Sequence, residues 1–235
     1  MARRKQIRKR KRDETIVDLV EAREQAQDFF ERNQKILFGV LGGLVLIVAV
    51  FFIYKQLFLL PKEREATEQM FQAEFQFQQD SFEQALLNPG GGYSGFLDII
   101  ENYKGTKAAN LAGYYTGICY MHLGKFEAAI SYLRDFKPGG SVTPIMKFGT
   151  IADAYSELGN FDQAATYYRR AIKSGNNGFL IPYYMKKLGL LYEERGEYKE
   201  AIAVYERLRK DYSNSQEGFN IEKYIQRAES LLSKN

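Results

Sequence analysis

Three stretches decide the fold of this 235-residue chain: YYTGICYMHLGKFEAAISYLRDF (114–136), GTIADAYSELGNFDQAATYYRRAI (149–172) and KLGLLYEERGEYKEAIAVYERL (187–208). They align without internal gaps on Gly124, Gly159 and Gly196, which are 35 and 37 residues apart. Each has a small residue early in its first helix (Gly117, Ala152, Gly189) and a Tyr three positions later (Tyr120, Tyr155, Tyr192). An aromatic follows two after the turn glycine (Phe126, Phe161, Tyr198), then a second small residue (Ala129, Ala164, Ala201). Small residues let two helices cross closely while aromatics fill the remaining space, so each unit predicts an antiparallel helix pair.

This period and small/aromatic pattern resemble tetratricopeptide repeats (TPR), with the extra residues falling in the turns between units. The resemblance covers residues 107–212 and predicts repeats at about 107–137, 143–174 and 179–212. Ahead of them, AEFQFQQDSFEQAL (73–86) reads as a degenerate copy inside a hairpin over 62–104. There Gln72 and Gln76 stand where apolar or aromatic residues are expected, and Asp80 replaces the turn glycine. The loop NPGGGYSG (88–95) precedes a short helix around Phe96–Tyr103, and its glycines match no phosphate-binding spacing. All five prolines, Pro61, Pro89, Pro138, Pro144 and Pro182, are expected between helices, because proline breaks a helix interior. A single helix over Glu217–Leu232, within a capping segment at 215–233, would cover the last apolar face with Ile221, Tyr224, Ile225, Ala228 and Leu232.

Working outward toward the amino terminus, Ile36–Tyr54 is ILFGVLGGLVLIVAVFFIY, an uncharged run between Lys35 and Lys55. At about 1.5 Å per residue it matches the hydrocarbon thickness of a bilayer, so residues 36–58 are expected to be an uncleaved membrane anchor. The fold class expected is therefore all-α, a single N-terminal transmembrane helix followed by a TPR helical-hairpin solenoid over 62–235. Residues 1–35 hold eleven basic and seven acidic side chains, against twenty-two of each in residues 36–235. The net charge of +4 thus belongs to the tail. By the positive-inside rule the amino terminus is cytoplasmic and the repeats lie outside the cytoplasm. Ile16, Leu19, Val20, Ala26 and Phe30 recur at helical spacing and suggest a cytoplasmic amphipathic helix, either lying on the membrane or continuous with the span. The eight Arg and Lys between Arg3 and Arg12 suit anionic lipid or ribosomal RNA, both bound through phosphate. Gly39 and Gly43 form a GxxxG that permits close approach of two spans, a route to a homodimer.

One Cys (Cys119) and one His (His122) leave no material for a disulfide or a Cys/His zinc cluster, and any Ser-His-Asp triad would have to use His122. No catalytic, cofactor or metal site is expected. A groove formed by the first helix of each unit would bind segments of other proteins. Its candidate positions are Leu111, Tyr114, Ile118, Met121 and His122, then Met146, Asp153 and Glu157, then Tyr183, Lys186, Leu190 and Glu193. Repeats that clamp chaperone carboxylate tails carry Lys, Arg and Asn at groove positions that here read Tyr114 and Ile118, so an adaptable apolar surface is expected, with Met121 and Met146 able to repack.

Basic tail, single anchor and extracytoplasmic repeats, with GFLDIIENYKGTKAANLAGYY at 95–115, together resemble the bacterial ancillary SecYEG translocon subunit family. The resemblance implies an inner-membrane protein that engages translocon subunits or exported chains and passes them to chaperones. The alternative is a scaffold for envelope proteins of a cell-wall, division or secretion machine, without affinity for unfolded clients.

Overall fold

The computed structural model describes the backbone of residues 2–234 and the side chains of Arg23, Gln27 and residues 29–234. The Arg3–Arg12 contacts and the positions of Ile16, Leu19, Val20 and Ala26 on their stripe lie outside the described residues. Two compact units divide the chain, Met1–Leu60 and Pro61–Asn235.

The first unit is helical from Ala2 to Tyr54 (α1) and ends in a π-helical turn, Lys55–Leu59. The tail helix and the apolar run are thus continuous, sharing one element. Among the described residues this region holds the one helix long and apolar enough to cross a membrane. Side chains from Ile36 to Phe58 are all exposed, which an apolar surface of this length tolerates only where hydrocarbon or another protein covers it.

The second unit is all-helical among its described residues: α2 (Leu60–Gln78), α3 (Phe82–Leu87), α4 (Phe96–Asn102), α5 (Lys107–His122), α6 (Phe126–Asp135), α7 (Thr143–Glu157), α8 (Phe161–Lys173), α9 (Leu180–Glu194), α10 (Tyr198–Asp211), α11 (Gln216–Phe219) and α12 (Glu222–Leu232). Helices α5/α6, α7/α8 and α9/α10 are the three expected hairpins, and the architecture is a TPR-like solenoid. Each hairpin turn uses its glycine in the left-handed region, at φ +69° (Gly124), +70° (Gly159) and +73° (Gly196). The next residue's N–H then reaches back to the Tyr carbonyl five positions earlier: Lys125 to Tyr120 at 2.8 Å, Asn160 to Tyr155 at 2.9 Å and Glu197 to Tyr192 at 2.8 Å. This closes the carbonyls that a helix end leaves without partners.

The degenerate hairpin makes the same turn without glycine. Asp80 adopts φ +55° and Ser81 N–H donates to the Gln76 carbonyl at 3.0 Å; Asp is among the few side chains that tolerate this region. Its return arm is broken into α3 and α4, and Phe96 and Ile99 of α4 are fully buried with Ala66, Met70 and Ala73 of α2.

Two expectations are corrected. Only Pro89 and Pro138 lie between helices; Pro61 and Pro144 are second residues of α2 and α7, and Pro182 is the third residue of α9. Pro144 and Pro182 stand in first turns, where the backbone N–H has no helical partner to lose and proline's fixed φ suits the position, whereas Pro61 follows directly on the π-helical turn Lys55–Leu59. The capping helix is also not continuous. Ser215 caps α11 by accepting from Gly218 N–H at 3.0 Å, and Gly218 lies so close to the end of α10 that a Cβ there would collide with the Tyr212 carbonyl oxygen. That docking ends α11 after one turn, and the chain restarts as α12, whose Ile225 and Ala228 are buried.

The helices approach most closely where a side chain is missing. A Cβ on Gly189 would collide with the Tyr205 ring, whereas one on Gly113 of α5 would meet nothing within 4 Å. Gly189→Ala is expected to destabilise the protein by about 1–3 kcal/mol through overpacking. Gly113→Ala is expected to stabilise it by about 0.5–1 kcal/mol through helix propensity. Denaturant unfolding of the full chain in detergent, followed by circular dichroism, reads both signs.

Candidate partner-binding face

Helices α5, α7 and α9 run in the same direction, with α7 touching both of its neighbours, and they carry the twelve positions expected to face a groove. On α5, Leu111 is 37% exposed. His122 is also exposed and stacks its ring on Phe82 with centroids 4.2 Å apart. Ile118 and Met121 are half-buried, and Tyr114 packs on Phe136 at 5.1 Å. On α7, Met146 and Asp153 are half-buried and Glu157 is exposed. On α9, Tyr183 and Leu190 are each 37% exposed. Lys186 places its ammonium 5.2 Å from the Tyr224 ring, and only 9% of the Glu193 side chain is exposed.

The two half-buried acids are already partnered. Asp153 Oδ1 accepts from Lys187 Nζ at 2.8 Å and from the Tyr168 hydroxyl. Burial alone would lower the Lys187 pKa, but the Asp153 charge and hydrogen bond outweigh it and leave the ammonium above its ordinary value. Glu193 accepts from the Tyr205 hydroxyl at 2.6 Å and holds Arg227 of α12 in a two-pronged bond, Nε at 2.8 Å and Nη2 at 2.9 Å. Planar guanidinium and carboxylate match in that geometry, which makes it directional as well as strong. Asp153 and Glu193 therefore hold neighbouring units together, and the candidate positions left exposed are Leu111, His122, Glu157, Tyr183 and Leu190. A shallow cleft of about 220 Å³ lies among Asp153, Glu157, Tyr168, Lys187, Leu190 and Glu194.

Lys187, Tyr168, Tyr205 and Arg227 were not among the candidate positions. Both ion pairs link residues 34 apart, one repeat length. A search for opposite charges one repeat apart would have found them.

Among the described residues no group of three or more His, Cys, Asp or Glu could hold a metal ion. Burial pushes the Cys119 thiol up to about 12, so it stays protonated and un-nucleophilic near neutral pH.

Residues 150–215 match the tetratricopeptide repeat family, and residues 111–137 match a second tetratricopeptide repeat description. No curated protein sequence matches the chain. Among solved structures, a crystal structure of nearly identical TPR-like repeats assigned to a kinesin light chain of Podospora anserina superposes with a TM-score of 0.53. It is 12% identical, over 74% of this chain and 90% of that one. The MamA protein superposes at 0.49, with 18% identity over 72% and 89% of the two chains. At this identity the first likeness shows the fold alone.

Two expectations follow from the internal networks. Asp153→Asn removes the charge opposite a mostly enclosed Lys187 and is expected to cost about 1–3 kcal/mol, less than a fully buried pair because both groups keep some solvent. Lys187→Met in the same background should restore part of that loss in a double-mutant cycle of unfolding free energies. Burial also raises Tyr114 to about 12 and lifts Tyr168, Tyr184 and Tyr205 further above their ordinary 10.0. A pKa higher in the folded than in the unfolded chain means tighter proton binding when folded, so this stabilisation is complete below pH 10 and is lost as pH rises above it. Tyrosinate absorbance and helix loss should therefore appear together in one cooperative alkaline transition.

Proposed function

We propose that residues 61–235 are a protein-binding module held at the periplasmic face of a bacterial inner membrane by the apolar segment 36–58, where they engage the protein-export translocon or newly exported chains. The observation that carries the contact role is the row of apolar side chains left open on the inner helices, Leu111, Tyr183 and Leu190. A repeat solenoid exposes such residues at a cost in solubility, and their placement on the first helices of the first and third units suits an extended or helical partner segment. Tetratricopeptide repeats bind other proteins, and the repeats matched here supply the same hairpins. The basic tail supports the orientation through its excess of Lys and Arg on one flank of the span. The resemblance in layout to the ancillary translocon subunits supports the choice of partner.

Photo-crosslinking amino acids at Leu111 and Leu190, expressed in the full chain in living cells, test this reading. Adducts to translocon subunits or to newly exported chains are the expected result. Adducts confined to cell-wall, division or secretion components, together with no delay in the aggregation of an unfolded model protein, would replace it with a scaffold.

A further inference from the structure

The solenoid has two long edges of different chemistry. At one edge α2, α5, α7 and α9 begin and α6, α8 and α10 end; at the other lie the hairpin turns. The first edge is continuous through direct contacts. Glu63 in the first turn of α2 accepts from the N–H groups of Lys107 and Ala108 at the start of α5, at 2.6 and 2.9 Å. Asn110 exchanges two hydrogen bonds with the backbone of Lys137, each at 2.9 Å. Gly175 abuts the Ser141 carbonyl, and Gly218 abuts that of Tyr212.

Three exposed apolar side chains stand along this edge. Val142 precedes α7 and is 38% exposed, Phe179 precedes α9 and is 65% exposed, and Phe219 precedes α12 and is 83% exposed. Val142 and Phe179 occupy the same register position, each seventeen residues before its turn glycine. Neither a hairpin core nor the groove uses them.

Charge divides in the same way. The segments 61–64, 102–107, 135–142, 172–179 and 209–222 of this edge contain eight basic and five acidic residues. Three of those acids are engaged, Glu63 with the α5 amides, Asp211 with Arg207 and Glu222 with Arg209, the last taking one of the eight basic residues with it; Glu217 is buried, with its Oε2 unpartnered. The turn edge, segments 79–84, 122–128, 157–163 and 194–200, contains eight acidic and three basic residues.

We infer that the edge carrying Val142, Phe179 and Phe219 docks on an anionic lipid surface, its aromatics entering the headgroup layer and its lysines meeting phosphate. This rests on the reading of 36–58 as membrane-inserted. The unit's chain begins on this edge, at Pro61, three residues after the last residue of that apolar segment. So short a connection confines the edge near the bilayer, where a tethered contact acts at an effective concentration on the order of millimolar and needs little intrinsic affinity. Phe at a membrane interface and Lys facing anionic lipid are the side chains such a surface selects. The acidic turn edge would be repelled by the same surface, which fixes which edge faces it.

The chain contains no Trp, so single tryptophans report position. Full-length Phe219→Trp, Phe179→Trp, Leu158→Trp on the turn edge and Phe51→Trp in the apolar segment are each reconstituted into phosphatidylglycerol/phosphatidylcholine vesicles containing brominated lipid. The expected result is strong quenching at position 51, with quenching at 179 and 219 roughly two-fold or more above that at 158 and reduced by salt or by omitting phosphatidylglycerol. Quenching at 51 with positions 179 and 219 no different from 158 would overturn the docking edge and leave the anchor standing. Absence of quenching at all four positions would overturn both.

Discussion

The repeats come together only where one helix offers its neighbour no side chain. Gly117 lies under Leu133, Gly149 under the Tyr184 ring and Gly189 under the Tyr205 ring, each too close for a Cβ to be added without movement. Ala129, Ala164 and Ala201, the small residues in the second helix of each hairpin, are all fully buried. The rest of the domain depends on these approaches. Because Tyr205 lies against Gly189, its hydroxyl reaches Glu193, and the carboxylate so placed grips Arg227 and seats α12. Because Gly149 leaves a gap, Tyr184 can cross from the next unit, and Tyr168 beside it meets Asp153 with Lys187.

This constraint is also why so much of the fold was legible. A helix crossing that demands a small residue leaves a mark in the sequence at every repeat, as does a turn that demands positive φ. Where the demand is weaker, so is the mark: Asp80 meets the φ requirement through a side chain that merely tolerates it, and the hairpin it begins read only as degenerate. Pro144 and Pro182 were misplaced because a rule about helix interiors was extended to first turns, where they lose no hydrogen bond, and Pro61 because it follows directly on the π-helical turn Lys55–Leu59. The break between α11 and α12 depends on a glycine docking on the end of another helix, a tertiary contact with no local signature.

The candidate face was less legible than the scaffold, because register assigns a residue to a side of a helix and not to a partner. Tyr183, Leu190 and Leu111 are exposed, whereas Asp153 and Glu193 share their register with groove positions but spend their charge on adjacent units. The lesson is electrostatic. A half-buried carboxylate draws the nearest cation one repeat away, and once satisfied it offers a visiting protein little. What remains for contact is apolar and adaptable on the inner helices, and cationic with exposed aromatics along the edge where the unit begins.

The sorting of charge along the chain links these features to location. The tail holds the whole excess of basic residues, the segment from Ile36 to Tyr54 has none, and residues 36–235 balance. The function proposed requires that the tail stay in the cytoplasm and the repeats work outside it, where exported chains emerge. The most direct test is topology in living cells, with alkaline phosphatase or a fluorescent protein fused after Asn235. The account predicts an active phosphatase, which folds only outside the cytoplasm, and a dark fluorescent fusion. An inactive phosphatase with a bright fluorescent fusion would place the repeats in the cytoplasm and contradict it.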